Sequence, residues 1–193
     1  MTQSLRTLVL DAARELFLKH GYDAVGMREI AAAVGRQPVQ IYRLNLTKSD
    51  ILAELIIDLN ELQIKQLPEL CARVAGTTLL DKVCDYFREL YALDIQYLSI
   101  RSVGAAHGWM WSAAYEERII GQVMQLLQPV AGWMGEAGLD QIEARSYGIW
   151  SAYYVGFRRA VIHGGTALEC VQEIGPTLEV LLRERPAEKT RST

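Results

Sequence analysis

The chain has 193 residues, 50% of them hydrophobic, and a formal net charge of −3 from 20 basic and 23 acidic side chains. That length allows one sizeable core and a small appended domain. No uncharged apolar stretch approaches the roughly 18 residues that span a bilayer, and charges between Arg6 and Glu15 interrupt any signal-peptide-like run. The three cysteines lack metal-ligand spacing and fit reduced thiols (Cys71, Cys84 and Cys170), so we expect a cytoplasmic protein without a cofactor.

The first predicted helix ends near His20. Its apolar residues recur at helical spacing, and Gly21 suits the left-handed conformation that often follows a helix. The apolar stripe consists of Val9, Ala12, Ala13, Leu16 and Phe17.

Two short helices joined by a glycine turn are predicted next. The first ends at Gly35, and the second begins with Pro38, because proline loses no useful N–H at the first helical position. Ile41 and Leu44 lie three residues apart and are expected to pin the second helix onto the apolar stripe of the first (Met27, Ile30, Ala31 and Val34). Two short helices joined by three or four residues that include glycine are typical of a helix-turn-helix. The same pattern would also fit two core helices of an ordinary bundle.

The rest of the chain keeps a helical period. Thr47 with Asp50 predicts a capping box at the start of a fourth helix, which ends near Pro68 or the Ala75-Gly76 break. Thr78 with Asp81 starts another helix. The glycines and aromatic residues of 99–112 predict a break between helices.

Helices are again expected over Glu116–Met134, with a kink or end at Pro129, and over Gln141–His163. A last helix must bend at Pro176 or begin near it. The pattern predicts an all-α fold throughout.

The chain resembles the TetR (tetracycline repressor) family of bacterial regulators over roughly residues 5 to 55, in the segments VLDAARELFLKHGYDAV and MREIAAAVGRQPVQIYRLNLTKSDIL. Beyond residue 60 the resemblance is architectural. It implies a homodimer whose N-terminal domains bind a palindromic double-stranded DNA operator, and whose larger C-terminal domains bind a small-molecule effector and dimerise. We expect a helix-turn-helix domain over 1–47, an effector-binding and dimerisation domain over 48–185, and a disordered tail over 186–193.

Seven residues are expected to contact DNA. Tyr42 and Lys48 match phosphate-contacting positions of the family, and such contacts fix register without reading sequence. Glutamine can bond adenine and arginine can bond guanine through two hydrogen bonds each. Arg28 matches a position from which family members touch the DNA backbone or a base. The candidates for base edges or adjacent phosphates are Arg36, Gln37, Gln40 and Arg43. The sequence departs from the family pattern at Arg36 and at Leu44-Asn45, so no sequence preference is inherited.

The charge distribution is only weakly typical of a DNA-binding protein. Residues 1–50 hold seven basic and five acidic side chains, which leaves a net charge of −5 on the remainder. A local positive face can still steer association with DNA.

Small residues recur every four positions in the penultimate helix and predict a close helix contact. The expected dimer interface combines them with apolar residues of the last helix: Gly148, Ala152, Gly156, Ala160, Ile174, Leu178 and Leu181. Packing within one chain is the alternative.

A mostly apolar pocket with a few polar groups is expected around the predicted break. Arg101 could pair with an anionic group of the effector, and tryptophans could stack on a planar ligand. The candidate lining residues are Tyr97, Arg101, His107, Trp109, Met110, Trp111, Tyr154 and Phe157. A plain aromatic core is the alternative.

Two other functional classes remain open. An all-helical enzyme has weak support, because the three histidines are scattered and no catalytic or metal-binding spacing is found. A helical adaptor that binds protein rather than DNA is the other alternative.

Overall fold

The computed structural model describes residues 3–183, and within that range the chain forms helices and turns without any strand. The helices are α1 (Leu5–His20), α2 (Met27–Ala33), α3 (Pro38–Tyr42), α4 (Lys48–Lys65), α5 (Leu67–Ala72), α6 (Leu79–Gln96), α7 (Leu98–His107), α8 (Ala113–Leu126), α9 (Gln128–Glu136), α10 (Ile142–His163) and α11 (Ala167–Leu181), with one 3₁₀ turn at Gly108–Met110. The all-α prediction is confirmed. The predicted tail, 186–193, lies outside the described residues.

The predicted helix ends are formed by the expected residues. Gly21 and Gly35 have φ of 80° and 63°, a conformation that costs glycine little because it has no Cβ. The Asp50 carboxylate accepts the Thr47 N–H at 2.8 Å, and the Thr47 hydroxyl accepts the Asp50 N–H at 3.1 Å, which closes the capping box of α4.

The chain divides into two compact units, one formed by residues up to 68 with 90–126, the other by 69–89 with the chain from 127 onward. In the first unit, α1 to α3 share a single apolar core with α4, α7 and α8. Its fully buried members include Phe17, Ile41, Leu55 and Ile100. The division at residue 47 stays a prediction.

The predicted break over 99–112 is wrong for most of its length. α7 continues to His107, and only the three residues Gly108–Met110 leave the α-helix. Gly104 lies inside α7, where a Cβ would overlap Ile56 Cδ1 and lie 2.7 Å from Ile56 Cγ1. This glycine therefore permits a close contact between α7 and α4 and does not break its helix.

Proline positions account for the other differences. The kink or end expected near Pro129 within Glu116–Met134 is a break between two helices: α8 ends at Leu126, and Pro129 lies in the first turn of α9, where a missing N–H costs nothing. Pro176 lies inside α11.

The second unit contains α10 and α11 as an antiparallel pair joined by three residues. The Arg145 guanidinium near the start of α10 donates to the carbonyls of Leu181 and Arg183 at the end of α11. A cation at this position satisfies carbonyls that the helix leaves free.

Candidate DNA interface and effector region

The turn between α2 and α3 is held by backbone hydrogen bonds around Gly35. The Arg36 N–H donates to the Ala31 carbonyl at 2.9 Å, and the Gly35 N–H donates to the Ala32 carbonyl at 3.0 Å. Ile30 and Ile41 are fully buried beneath this turn. The two short helices are therefore fixed relative to each other by their own core and not by helix propensity.

The outer surface of α3 is exposed. Val39 and Tyr42 are 56% and 55% exposed, although both side chains are large and partly apolar. Gln37, Gln40 and Arg43 are exposed as well. This surface matches the face that a helix would insert into a major groove.

Gln40 caps the start of α3, a role that was not predicted from the sequence. Its side-chain oxygen accepts the Gln37 N–H at 3.1 Å at the start of α3. A bidentate bond to adenine needs this oxygen as an acceptor. If Gln40 bonds adenine in that way, the same oxygen must accept a second hydrogen bond, for which it has a free lone pair.

The arginines of residues 3–47 fall into two groups. On α1, Arg6 pairs with Glu54 at 2.7 Å, and Arg14 pairs with Asp58 at 3.0 Å. The candidate DNA-contacting arginines are exposed and make no ion pair within residues 3–183 (Arg28, Arg36 and Arg43). Three arginines without ion-pair partners thus lie on α2, in the turn and directly after α3.

Lys48 is the first residue of α4 and is half-buried. Its ammonium nitrogen lies 4.0 Å from the centroid of the Tyr22 ring, which is within the range of a cation–π interaction. Tyr22 was not among the predicted site residues, although it belongs to the HGY segment that ends α1.

This geometry agrees with a comparison of the sequence with protein-family models. Residues 9–55 match the model described as bacterial regulatory proteins, tetR family. Over these residues the chain is similar to that family. The matched segment contains the whole of α2, α3 and the turn between them, so the helix-turn-helix prediction is confirmed.

Solved structures extend the likeness to the full fold of this chain. FadR from Thermus thermophilus in complex with lauroyl-CoA has a TM-score of 0.67 and 17% identity, and the match covers 97% of this chain and 98% of that one. FadR from Bacillus subtilis in complex with stearoyl-CoA has a TM-score of 0.65 and 19% identity, with 93% and 99% covered. KstR2 of Mycobacterium tuberculosis, a ketosteroid transcriptional regulator, has a TM-score of 0.58 and 16% identity, and the match covers 94% of this chain and 95% of that one. At these identities the likeness concerns the fold. A comparison with curated protein sequences found no significant match.

Arg101, the predicted partner of an anionic effector, is occupied by its own chain. Its Nε lies 3.0 Å from an oxygen of Asp94, and both side chains are about nine-tenths buried. The guanidinium also donates to the side-chain oxygens of Asn60 and, at 2.9 Å, Gln63. Gln63 in turn donates to Asp94 at 2.6 Å. An anionic ligand would have to compete with Asp94 for this site.

We call Asn60, Gln63, Asp94 and Arg101 the polar cluster. It joins α4, α6 and α7 inside the first unit, and Gln122 of α8 extends it by accepting from Asn60 at 3.2 Å. Two polar residues on the apolar stripe of α4 could have indicated this cluster from the sequence. Asn60 and Gln63 continue the buried stripe of α4 after Ile56, at positions where the helical period calls for apolar residues.

The other predicted effector residues are scattered. Tyr97 and Trp111 are partly buried against the apolar core of the first unit. His107 faces Tyr22, with ring centroids 5.3 Å apart. Trp109 and Met110 are 95% and 79% exposed on the 3₁₀ turn. Tyr154 and Phe157 lie on α10 of the second unit, the former exposed and the latter buried. The assignment of these residues to an effector site stays a prediction.

A groove of about 460 Å³ opens between α4 and α8 in the first unit. Six of its eight lining residues are charged or polar, and an ion pair joins Arg118 and Glu61 at 2.8 Å. None of the predicted effector residues lines this groove.

The small-residue stripe of α10 packs within the described chain. Ala152, Gly156 and Ala160 are buried, as are Ile174 and Leu178 of α11. A Cβ on Gly148 would lie 3.0 Å from Leu181 Cδ2 of the same chain. The stripe thus serves the packing of α10 on α11, which is the alternative that the sequence left open, and its assignment to a dimer interface stays a prediction.

A different face of this helix pair is open. Exposed large apolar residues remain on it: Tyr147, Tyr154, Val155, Val161, Ile162, Leu168 and Val180. Tyr147, Tyr154 and the half-buried Trp150 form a row along α10, with neighbouring ring centroids 6.4 and 5.9 Å apart. Apolar groups clustered in this way are typical of an interaction surface.

Within the described residues, no helix is long and apolar enough to cross a membrane.

Proposed function

We propose that this protein is a cytoplasmic transcriptional repressor that binds a palindromic DNA operator as a homodimer and releases it when a small molecule binds. The observation that carries the proposal is the outer surface of α3, where Tyr42, Arg36 and Arg43 are exposed while Ile41 anchors the helix from below. Exposed cations without intramolecular partners are available to release counterions from DNA.

Dimerisation would supply the affinity that one short helix lacks. The open face of α10 and α11 supports this step, because Val155, Ile162 and their neighbours expose apolar surface that a second copy would cover. The two helix-turn-helix units of a symmetric dimer bind half-sites about 34–36 Å apart. A ligand that favours a different separation would weaken binding to both half-sites at once.

Selection from a random pool of duplex DNA tests the DNA-binding step and identifies the operator in the same experiment. The wild-type protein is expected to enrich palindromic duplexes, and its affinity for them should fall as salt rises. Tyr42→Ala with Lys48→Ala should abolish this binding, whereas Arg118→Ala, which also removes one positive charge, should retain it. Enrichment of no duplex would favour a protein-binding adaptor.

The effector step is tested by thermal-shift measurements. Two FadR proteins of similar fold were solved with acyl-CoA, so acyl-CoA thioesters of graded chain length are the first panel to examine. A bound effector raises the unfolding temperature by mass action, and it should also release the selected duplex. A compound that stabilises the wild type and Trp111→Ala equally would remove Trp111 from the site.

A further inference from the structure

We propose that Tyr22 is a positioning residue for DNA binding: its ring holds the Lys48 ammonium in place and links it to the last turn of α7. The inference rests on the proposed function and adds a residue through which Lys48 acts. It begins from the electrostatics of α4, where Lys48 occupies the first helical position.

A lysine at that position meets an unfavourable field. The N-terminus of a helix carries partial positive charge, which disfavours a cation in the first turn. Within residues 3–183 Lys48 makes no ion pair that would offset this field, because Asp50 in the same turn is engaged with Thr47. The negative face of the Tyr22 ring, 4.0 Å from Nζ, supplies the compensation.

The ring itself is fixed by its surroundings. Tyr22 is 9% exposed and makes an edge contact with Phe17 of α1, with centroids 5.1 Å apart. A second edge contact joins it to His107, with centroids 5.3 Å apart. The His107 Nδ1 lies 3.1 Å from the Val103 carbonyl, which ties the imidazole to the last turn of α7 when Nδ1 carries the proton.

This arrangement has a consequence for the ammonium. A cation over a ring face keeps its N–H donors, since the ring engages it through its quadrupole and not through a lone pair. Lys48 is therefore held in one orientation with donors still available to a phosphate. A movement of the last turn of α7 displaces His107, then the Tyr22 ring, and with it the ammonium.

The experiment uses the full-length protein and a duplex selected by the wild type. Tyr22→Phe keeps the ring face and should bind like the wild type. Tyr22→Leu should bind about tenfold more weakly, since the face is lost in both subunits, and its affinity should depend less steeply on salt. Ring-fluorinated phenylalanine at position 22 keeps the shape but weakens the face, so affinity should fall as fluorines are added. This series remains informative if Tyr22→Leu does not fold.

A double-mutant cycle separates positioning from packing. In a Lys48→Met background, Tyr22→Leu should cause no further loss of DNA affinity. An equal loss in both backgrounds, or wild-type affinity for Tyr22→Leu alone, would overturn the inference.

NMR tests the contact without DNA, which keeps it separate from the proposed function. The Lys48 side-chain methylene protons should be shielded by the ring in the wild type and in Tyr22→Phe, but not in Tyr22→Leu. His107→Ala should reduce this shielding, whereas Trp109→Ala, on the exposed turn after His107, should leave it unchanged. Unshielded Lys48 protons in the wild type would refute the contact even if the protein binds DNA.

Discussion

Replacement of Gly104 by alanine tests the close contact between α7 and α4. The added Cβ would overlap Ile56 Cδ1 and lie 2.7 Å from Ile56 Cγ1, and Ile56 is only 6% exposed. Neither helix can yield easily, because the side chains around this contact belong to the apolar core of the first unit. We expect Gly104→Ala to destabilise the protein.

Two opposing effects set the magnitude. Alanine stabilises a helix interior by about 0.5–1 kcal/mol relative to glycine, whereas one extra methyl group in a close-packed core costs about 1–3 kcal/mol. Gly121 lies in the interior of α8, is exposed, and has nothing within 4 Å of its Cβ position. Gly121→Ala should therefore stabilise the protein. Because the glycine-to-alanine gain is common to both variants, they should differ by the packing cost alone, about 1–3 kcal/mol.

Urea unfolding at a fixed protein concentration measures this difference through the midpoint, provided that the m-value does not change. Removal of the clashing atoms should reverse the effect: in an Ile56→Ala background, Gly104→Ala should no longer destabilise, because the new methyl group fills part of the vacated space. A Gly104→Ala variant as stable as Gly121→Ala would show that α7 and α4 do not approach as closely as described.

Three further predictions concern the polar cluster, alkaline stability and self-association. Arg101→Met should destabilise the protein by about 3–5 kcal/mol, because it deprives the buried Asp94 carboxylate of its guanidinium, and adding Asp94→Leu should recover most of the loss in urea unfolding. Burial raises the pKa of Tyr86 above its ordinary value, so the unfolded chain loses the phenolic proton at a lower pH than the folded one. The free energy of unfolding should therefore fall as pH rises above about 10, by up to about 1.4 kcal/mol per pH unit. Tyr86→Phe should flatten that decline in pH-dependent unfolding, and an unchanged slope would contradict the prediction. Val155→Glu should shift the protein towards monomers in sedimentation equilibrium, whereas Leu18→Glu on α1 should not, and a monomeric wild type would remove the dimer from the proposal.

The sequence predicted the DNA-binding side well because its signals are local. Gly35 needs a positive φ, Pro38 suits a first helical turn, and Thr47 with Asp50 forms a cap between residues three apart. Each of these preferences is decided within one turn of helix and does not depend on the rest of the fold.

The contacts of the predicted effector residues could not be predicted from the sequence, because several of them join distant parts of the chain. Arg101 meets Asn60 and Gln63, about forty residues earlier in the sequence. The sequence around Arg101 does not predict its ion pair with Asp94. Gly104 likewise reads as a helix breaker until the approach of Ile56 explains why a side chain is excluded there.

The small-residue stripe of α10 illustrates the same limit for interfaces. A repeat of glycine and alanine every four residues predicts that another helix packs closely against this one. It does not indicate whether that helix belongs to the same chain. In this chain Gly148 meets Leu181 of α11, and Ala160 is buried within the protomer. The side of α10 that α11 leaves uncovered carries bulky residues such as Tyr154 and Val155. Bulky apolar side chains bury more surface per residue than small ones, so an interface formed by these residues would have a larger hydrophobic contribution than one formed by the small-residue stripe.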